Sequence, residues 1–138
     1  MVGCSNEGTT GGGVSLADAL YTGTVNRTAL IGISEEEAAS GTATETIDGF
    51  TLQITSNKLA SGTAGALIDV SISQSGSEYS ASGEYIDTES GDALTIKETI
   101  RFTISSDGNT AEILEYTANV SGGGQSYSFT YKGTLTKQ

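Results

Sequence analysis

Few side chains in this sequence can do chemistry. There is no His and only one Cys, Cys4. Without imidazole, Ser-His-Asp and Cys-His catalysis is excluded, as is any His general base. One Cys closes no intrachain disulfide, and zinc and iron–sulfur centres lack ligands. Carboxylates and phenols remain: 17 acids and six tyrosines. One acid stands apart. In Leu94-Thr95-Ile96-Lys97-Glu98-Thr99-Ile100-Arg101-Phe102-Thr103-Ile104 the even positions are apolar except Glu98, and the odd positions are polar. Strict period-two alternation is the pattern of a strand with one dry face, about 37 Å long at ~3.4 Å per residue.

Glu98 therefore points toward a core. Burying an unpaired carboxylate is costly, which leaves three alternatives. Glu98 pairs with an inward cation or tyrosine hydroxyl as polar filling. Or a β-bulge near Lys97-Glu98-Thr99 turns it outward. Or it lines a ligand cavity. The tyrosines bear on the choice, since Tyr21, Tyr79, Tyr85, Tyr127 and Tyr131 fall on expected inward faces, and Tyr116 joins them. A cavity ringed by phenols and one carboxylate would suit a small amphipathic or cationic molecule. The same residues also serve as ordinary core, with each hydroxyl needing a partner. No pair of acids converges as glycoside hydrolysis requires, and no catalytic residue, metal site or cofactor site is assigned. Asp107-Gly108-Asn109 holds a fragment of a Ca²⁺ loop and reads more simply as a hairpin turn.

The surrounding elements read almost wholly as strands. Ala19–Val25 is the first, and Thr28–Ile33 continues it or opens another. Ser34-Glu35-Glu36-Glu37 resembles a capping box for one short helical turn. Thr42–Ile47 reads as a strand, and Asp48-Gly49 as a two-residue hairpin turn. Phe50, Leu52 and Ile54 form a dry row. Residues 56–65 read as a loop with Leu59 tucked in. The next dry row is Ala66, Ile68, Val70 and Ile72, followed by Tyr79, Ala81, Gly83 and Tyr85. Asp87–Asp92 is an acidic loop. After Glu98's strand come rows at Leu114, Tyr116, Ala118 and Val120, then at Tyr127, Phe129, Tyr131, Gly133 and Leu135. About eight strands joined by short turns predict an antiparallel up-and-down meander. Its dry face is covered by closing into an eight-stranded barrel or, alternatively, by folding into a β-sandwich. Tyr21-Thr22-Gly23-Thr24 and Tyr131-Lys132-Gly133-Thr134 share a Tyr-x-Gly-Thr pattern. Gly in both favours a barrel whose first and last strands meet closely.

The balance of 17 acids against 6 bases, net −11, disfavours phosphate backbones and anionic membrane surfaces as partners. At the N-terminus, Val2-Gly3-Cys4-Ser5 resembles the end of a bacterial lipobox, where Cys4 would be acylated. The charged and apolar parts of a signal are not in the sequence, so a truncated form with an added Met1 is expected. The Gly-rich stretch after Cys4 suits a flexible tether. Residues 1–14 are thus read as lipobox remnant and tether, and 15–138 as one domain. Taken with the Tyr-x-Gly-Thr opening and the closing Phe129-Thr130-Tyr131-Lys132-Gly133-Thr134-Leu135, this layout resembles the small lipocalin-like (calycin-like) barrel lipoproteins of bacteria. The resemblance implies an extracytoplasmic, lipid-anchored, non-enzymatic envelope protein. Its barrel would bind a small amphipathic molecule or, alternatively, be filled and meet an envelope protein partner.

Overall fold

The computed structural model describes residues 16–32, 45–62, 66–88, 93–122 and 124–138. The expected helical turn at Ser34–Ala39, Cys4 and its tether, and much of the acidic loop lie outside them. Nine strands form one sheet: β1 (Ala19–Ile31), β2 (Thr46–Thr55), β3 (Lys58–Ser61), β4 (Leu67–Ser71), β5 (Ser73–Ser75), β6 (Glu78–Asp87), β7 (Leu94–Ile104), β8 (Thr110–Gly122) and β9 (Gln125–Lys137). Their order across the sheet is β4-β3-β2-β1-β9-β8-β7-β6-β5, all antiparallel. The two ends of that order, β4 and β5, are separated in the chain by Ile72 alone. They make one broken stave, bonded to β3 below the break and to β6 above it. The fold is therefore a nearly closed barrel with nine strands where about eight were expected, and a single sheet rather than a sandwich.

Closure at the first and last strands is complete. β1 and β9 pair from Ser128↔Ile31 to Lys137↔Tyr21. The glycines are needed there, because a Cβ on Gly133 would overlap the Thr24 carbonyl and lie 2.8 Å from Val25 Cα. Inside, Val25, Leu52, Phe102, Ile100, Tyr131 and Leu135 are among the fully buried side chains. Each such aliphatic or aromatic group contributes about 1.5–3 kcal/mol by leaving water.

Four expectations change, each for a local reason. Asp48-Gly49 is not a hairpin turn. Val25 pairs with Ile47 and Gly23 with Phe50, so the dipeptide is the extra length of a bulge within β2. Gly49 has φ 72°, and a residue pair that tolerates positive φ serves a bulge as well as a turn. The loop expected at 56–65 contains β3, because Ser56 and Asn57 both take positive φ (52° and 63°) and turn the chain in two residues. Ile68 is 64% exposed, and Leu67 is buried in its place. Asp69 at φ 52° adds a residue between Val70 and Leu67 where β3 has only Leu59 to Ser61, which reverses the phase. The row at Leu114 shifts likewise. Tyr131↔Tyr116 is followed by Gly133↔Ile113, so Ile113 is the buried residue and Leu114 is half-buried. One inserted residue moves every later side chain to the opposite face.

Candidate functional site

Glu98 lies mid-strand on β7, opposite Gly83 on β6 and Ala118 on β8. The ladder runs through it without a bulge, and its side chain is fully buried. Both carboxyl oxygens have partners. The Tyr116 hydroxyl donates to Oε1, and the Ala66 backbone amide donates to Oε2 at 2.8 Å. Of the three alternatives, pairing inside the barrel is the one observed.

The neighbouring elements explain how these atoms meet. Tyr116 is in phase with Ala118 and opposite Ile100, and the β8 bulge just before it brings Ile113 onto the same inner face. Ala66 precedes β4 and lies on the inner side of the wall, where a Cβ on Gly83 would overlap the Ala66 carbonyl and come 3.2 Å from Val70 Cγ1. Gly62, just after β3, also faces the carboxyl. A Cβ there would overlap Glu98 and reach the Tyr116 hydroxyl at 3.0 Å. The chain thus bends inward at Gly62 and Ala66. It can do so because Gly62 and Gly83 have no side chains to obstruct it, and Glu98 anchors it.

Aromatic rings surround this anchor. Phe50 packs against Tyr116 at 5.1 Å between centroids, and Tyr131 lies 6.1 Å from Tyr116. Phe129 meets Tyr131 edge-on at 5.9 Å and continues to Tyr127 at 6.3 Å. Tyr79 stacks on Phe102 across the β6–β7 pair. Glu98, Tyr116 and Tyr131 are therefore brought together, whereas Tyr79 and Tyr127 are half-buried elsewhere in the wall. Tyr85, expected on an inward face, is 42% exposed. It is in phase with Ala81 but lies beyond Gly83, where the wall no longer covers it.

Tyr21 belongs to the far end. Its hydroxyl donates to the Gly108 carbonyl at 2.8 Å, fastening the β7–β8 hairpin over the barrel. Burial, and to a lesser degree the charge of Asp107, raises the Tyr21 phenol above its ordinary value. Asp107 is held below the usual carboxylate range by the Ser105 hydroxyl and the Asn109 amide. Asp107-Gly108-Asn109 is thus the turn expected from its sequence. On the outer wall Arg101 joins Glu78 at 3.0 Å and Glu115 at 3.3 Å, clamping β6, β7 and β8 at an exposed site.

Sequence reasoning missed Ala66 and Gly62. A backbone amide has no residue-type signature, and Gly62 sits among several small residues that look alike in sequence. Among the described residues no group of three or more His, Cys, Asp or Glu is placed to hold a metal ion. Nor is any helix among them long and apolar enough to cross a membrane. No family model, curated protein or solved structure matches this chain.

Proposed function

We propose that this chain is a lipid-anchored cell-envelope protein whose barrel is a self-filled interaction or structural module. Acylation at Cys4 would hold it to the membrane, the Gly-rich tether would space it from the surface, and the barrel wall would meet another envelope component. No reaction is part of this reading. The observation that carries it is the occupied anchor: Tyr116 and Ala66 already supply the donors that a bound molecule would offer to Glu98. Aromatic rings pack around that anchor. The competing reading is a small amphipathic molecule inside the barrel, beside a carboxyl that already accepts from Tyr116 and Ala66.

Native mass spectrometry of protein from its own host tests both parts. The expected spectrum shows the mass of the chain plus lipid on Cys4 and no further adduct. A retained small molecule would overturn the filled-barrel reading, and an unmodified Cys4 would overturn the anchor.

A further inference from the structure

The sequence contains the dipeptide Asp-Gly twice, at Asp48-Gly49 and Asp107-Gly108. This dipeptide is open to a reaction that needs no enzyme. The glycine amide nitrogen attacks the side-chain carboxyl carbon of the aspartate. A C–N bond forms, the carboxyl hydroxyl leaves with the amide proton as water, and the chain closes into a cyclic imide. Water then reopens the ring. Attack at the side-chain carbonyl restores aspartate. Attack at the main-chain carbonyl leaves isoaspartate, whose backbone runs through Cβ and Cγ. Mass and oxidation state end unchanged, and water is the only co-reactant. Glycine favours the step because no Cβ shields its nitrogen and its backbone is the freest of any residue.

In several respects the two sites are alike. Both aspartates are exposed, and both glycines take positive φ, 72° at Gly49 and 77° at Gly108. A Cβ on either glycine would meet nothing within 4 Å. The sites differ in what restrains the reacting atoms.

At Asp107-Gly108 electrophile and nucleophile are both tied. Oδ1 of Asp107 accepts from the Ser105 hydroxyl at 2.6 Å and from the Asn109 amide at 3.0 Å. The Gly108 amide donates to the Ser105 carbonyl at 2.9 Å. The Gly108 carbonyl accepts from the Tyr21 hydroxyl at 2.8 Å. Ring closure there requires the turn to come apart. At Asp48-Gly49 the restraint is slight. The register passes from Gly23↔Phe50 to Val25↔Ile47, so neither Asp48 nor Gly49 is matched to a residue of β1. The Asp48 carboxylate accepts from the Thr24 hydroxyl at 3.0 Å, on the exposed wall. A bulge is a place where the ladder is already interrupted, and local opening costs least where few bonds hold the backbone.

We propose that Asp48-Gly49 is a site of spontaneous isoaspartate formation in the folded protein, and that the hairpin turn protects Asp107-Gly108 from the same reaction. The product carries an extra main-chain carbon within β2, at the bulge opposite Thr24.

The test ages the full chain at neutral pH, folded and in urea. Peptides are then mapped by electron-transfer fragmentation, which tells isoaspartate from aspartate. In the folded protein, isoaspartate at position 48 is expected to exceed that at 107 by at least about tenfold, the effect of breaking two of the hairpin's hydrogen bonds. In urea, where neither site is held, the two are expected to accumulate it alike. Ser105→Ala, which frees the Asp107 carboxylate from the hydroxyl, is expected to raise the folded rate at 107 about fivefold and leave 48 unchanged. No isoaspartate at 48, or as much at 107 as at 48 in the folded protein, would overturn the proposal. A difference that persists in urea would overturn its structural cause, and an unchanged rate at 107 in Ser105→Ala would overturn the protection assigned to the turn.

Discussion

The barrel closes twice, and the two closures are built differently. Between β1 and β9 the backbones pair along nearly the whole length of both strands, interrupted by one bulge at Thr28. Between the broken stave β4–β5 and β6 pairing stops after three residues. Both closures bring backbone against a glycine, Gly133 meeting Thr24 and Gly83 meeting Ala66. The two contacts are secured by different means. At the first, neighbouring ladder bonds hold the backbones together. At the second, the Glu98 carboxyl reaches across from β7 and accepts the Ala66 amide directly. A buried acid does for one closure what a ladder does for the other. This is why an acid can stand in so apolar a row.

If that contrast holds, the largest effect comes from Glu98→Leu. It removes both acceptors and leaves the Tyr116 hydroxyl and the Ala66 amide buried without them. At about 1–3 kcal/mol for each orphaned group, a loss of about 3–5 kcal/mol is expected in urea unfolding. A loss under about 1 kcal/mol would mean that the anchor is dispensable.

The glycines sharpen the comparison. Gly133→Ala presses on Thr24 inside a rigid ladder and is expected to cost about 3 kcal/mol. Gly83→Ala presses on the Ala66 carbonyl, which lies outside the β6 ladder, and a smaller cost of about 1–2 kcal/mol is expected because no ladder pairing of Ala66 has to break. The reverse order of the two midpoints would contradict the difference in rigidity.

Tyr116→Phe removes one of the two donors to Glu98 and keeps the ring against Phe50 and Tyr131. A loss of about 1–2 kcal/mol is expected, less than for Glu98→Leu. If Tyr116→Phe costs as much as Glu98→Leu, then Tyr116 and not Ala66 is the partner that matters.

The smallest effects are in pH, at the hairpin over the far end. The Tyr21 phenol is raised above its ordinary value of 10.0, so its hydrogen bond to Gly108 contributes fully below about pH 10. That contribution is lost as pH rises through the folded value, because the unfolded chain releases the proton first. Asp107 is lowered, so the stability it lends the turn is present above its unfolded value and lost as pH falls through the folded one. In Tyr21→Phe the alkaline loss of thermal stability is expected to be smaller than in the parent. An unchanged alkaline limb would assign that loss to another group.

Much of this was legible in the sequence, and the rest was hidden for definite reasons. Alternation at Leu94–Ile104 and Tyr127–Leu135 identified the strands and their dry faces. The paired Tyr-x-Gly-Thr patterns pointed to the β1–β9 closure. The bulges at Asp48-Gly49, Asp69 and Leu114 were not legible, because a bulge is defined by the strand opposite and a single segment carries no record of its partner. Strict alternation puts Ile68 and Leu114 on the wrong face for that reason alone. Half of the Glu98 site could be read. Tyr116 is a phenol on an inward face, whereas Ala66 contributes a backbone amide, and a backbone amide carries no residue-type signal.

The central claim is that Glu98 holds the unladdered closure through the Ala66 amide. The most direct measurement is hydrogen exchange at that amide, by NMR, in the parent and in Glu98→Leu under conditions where both are folded. The account predicts strong protection of Ala66 in the parent, comparable to amides of the β7–β8 ladder. It predicts that Glu98→Leu exchanges Ala66 at least about a hundredfold faster, well beyond any uniform change from lowered global stability, while the β1–β9 ladder shows only that uniform change. An Ala66 amide already unprotected in the parent, or equally protected in the variant, would contradict it.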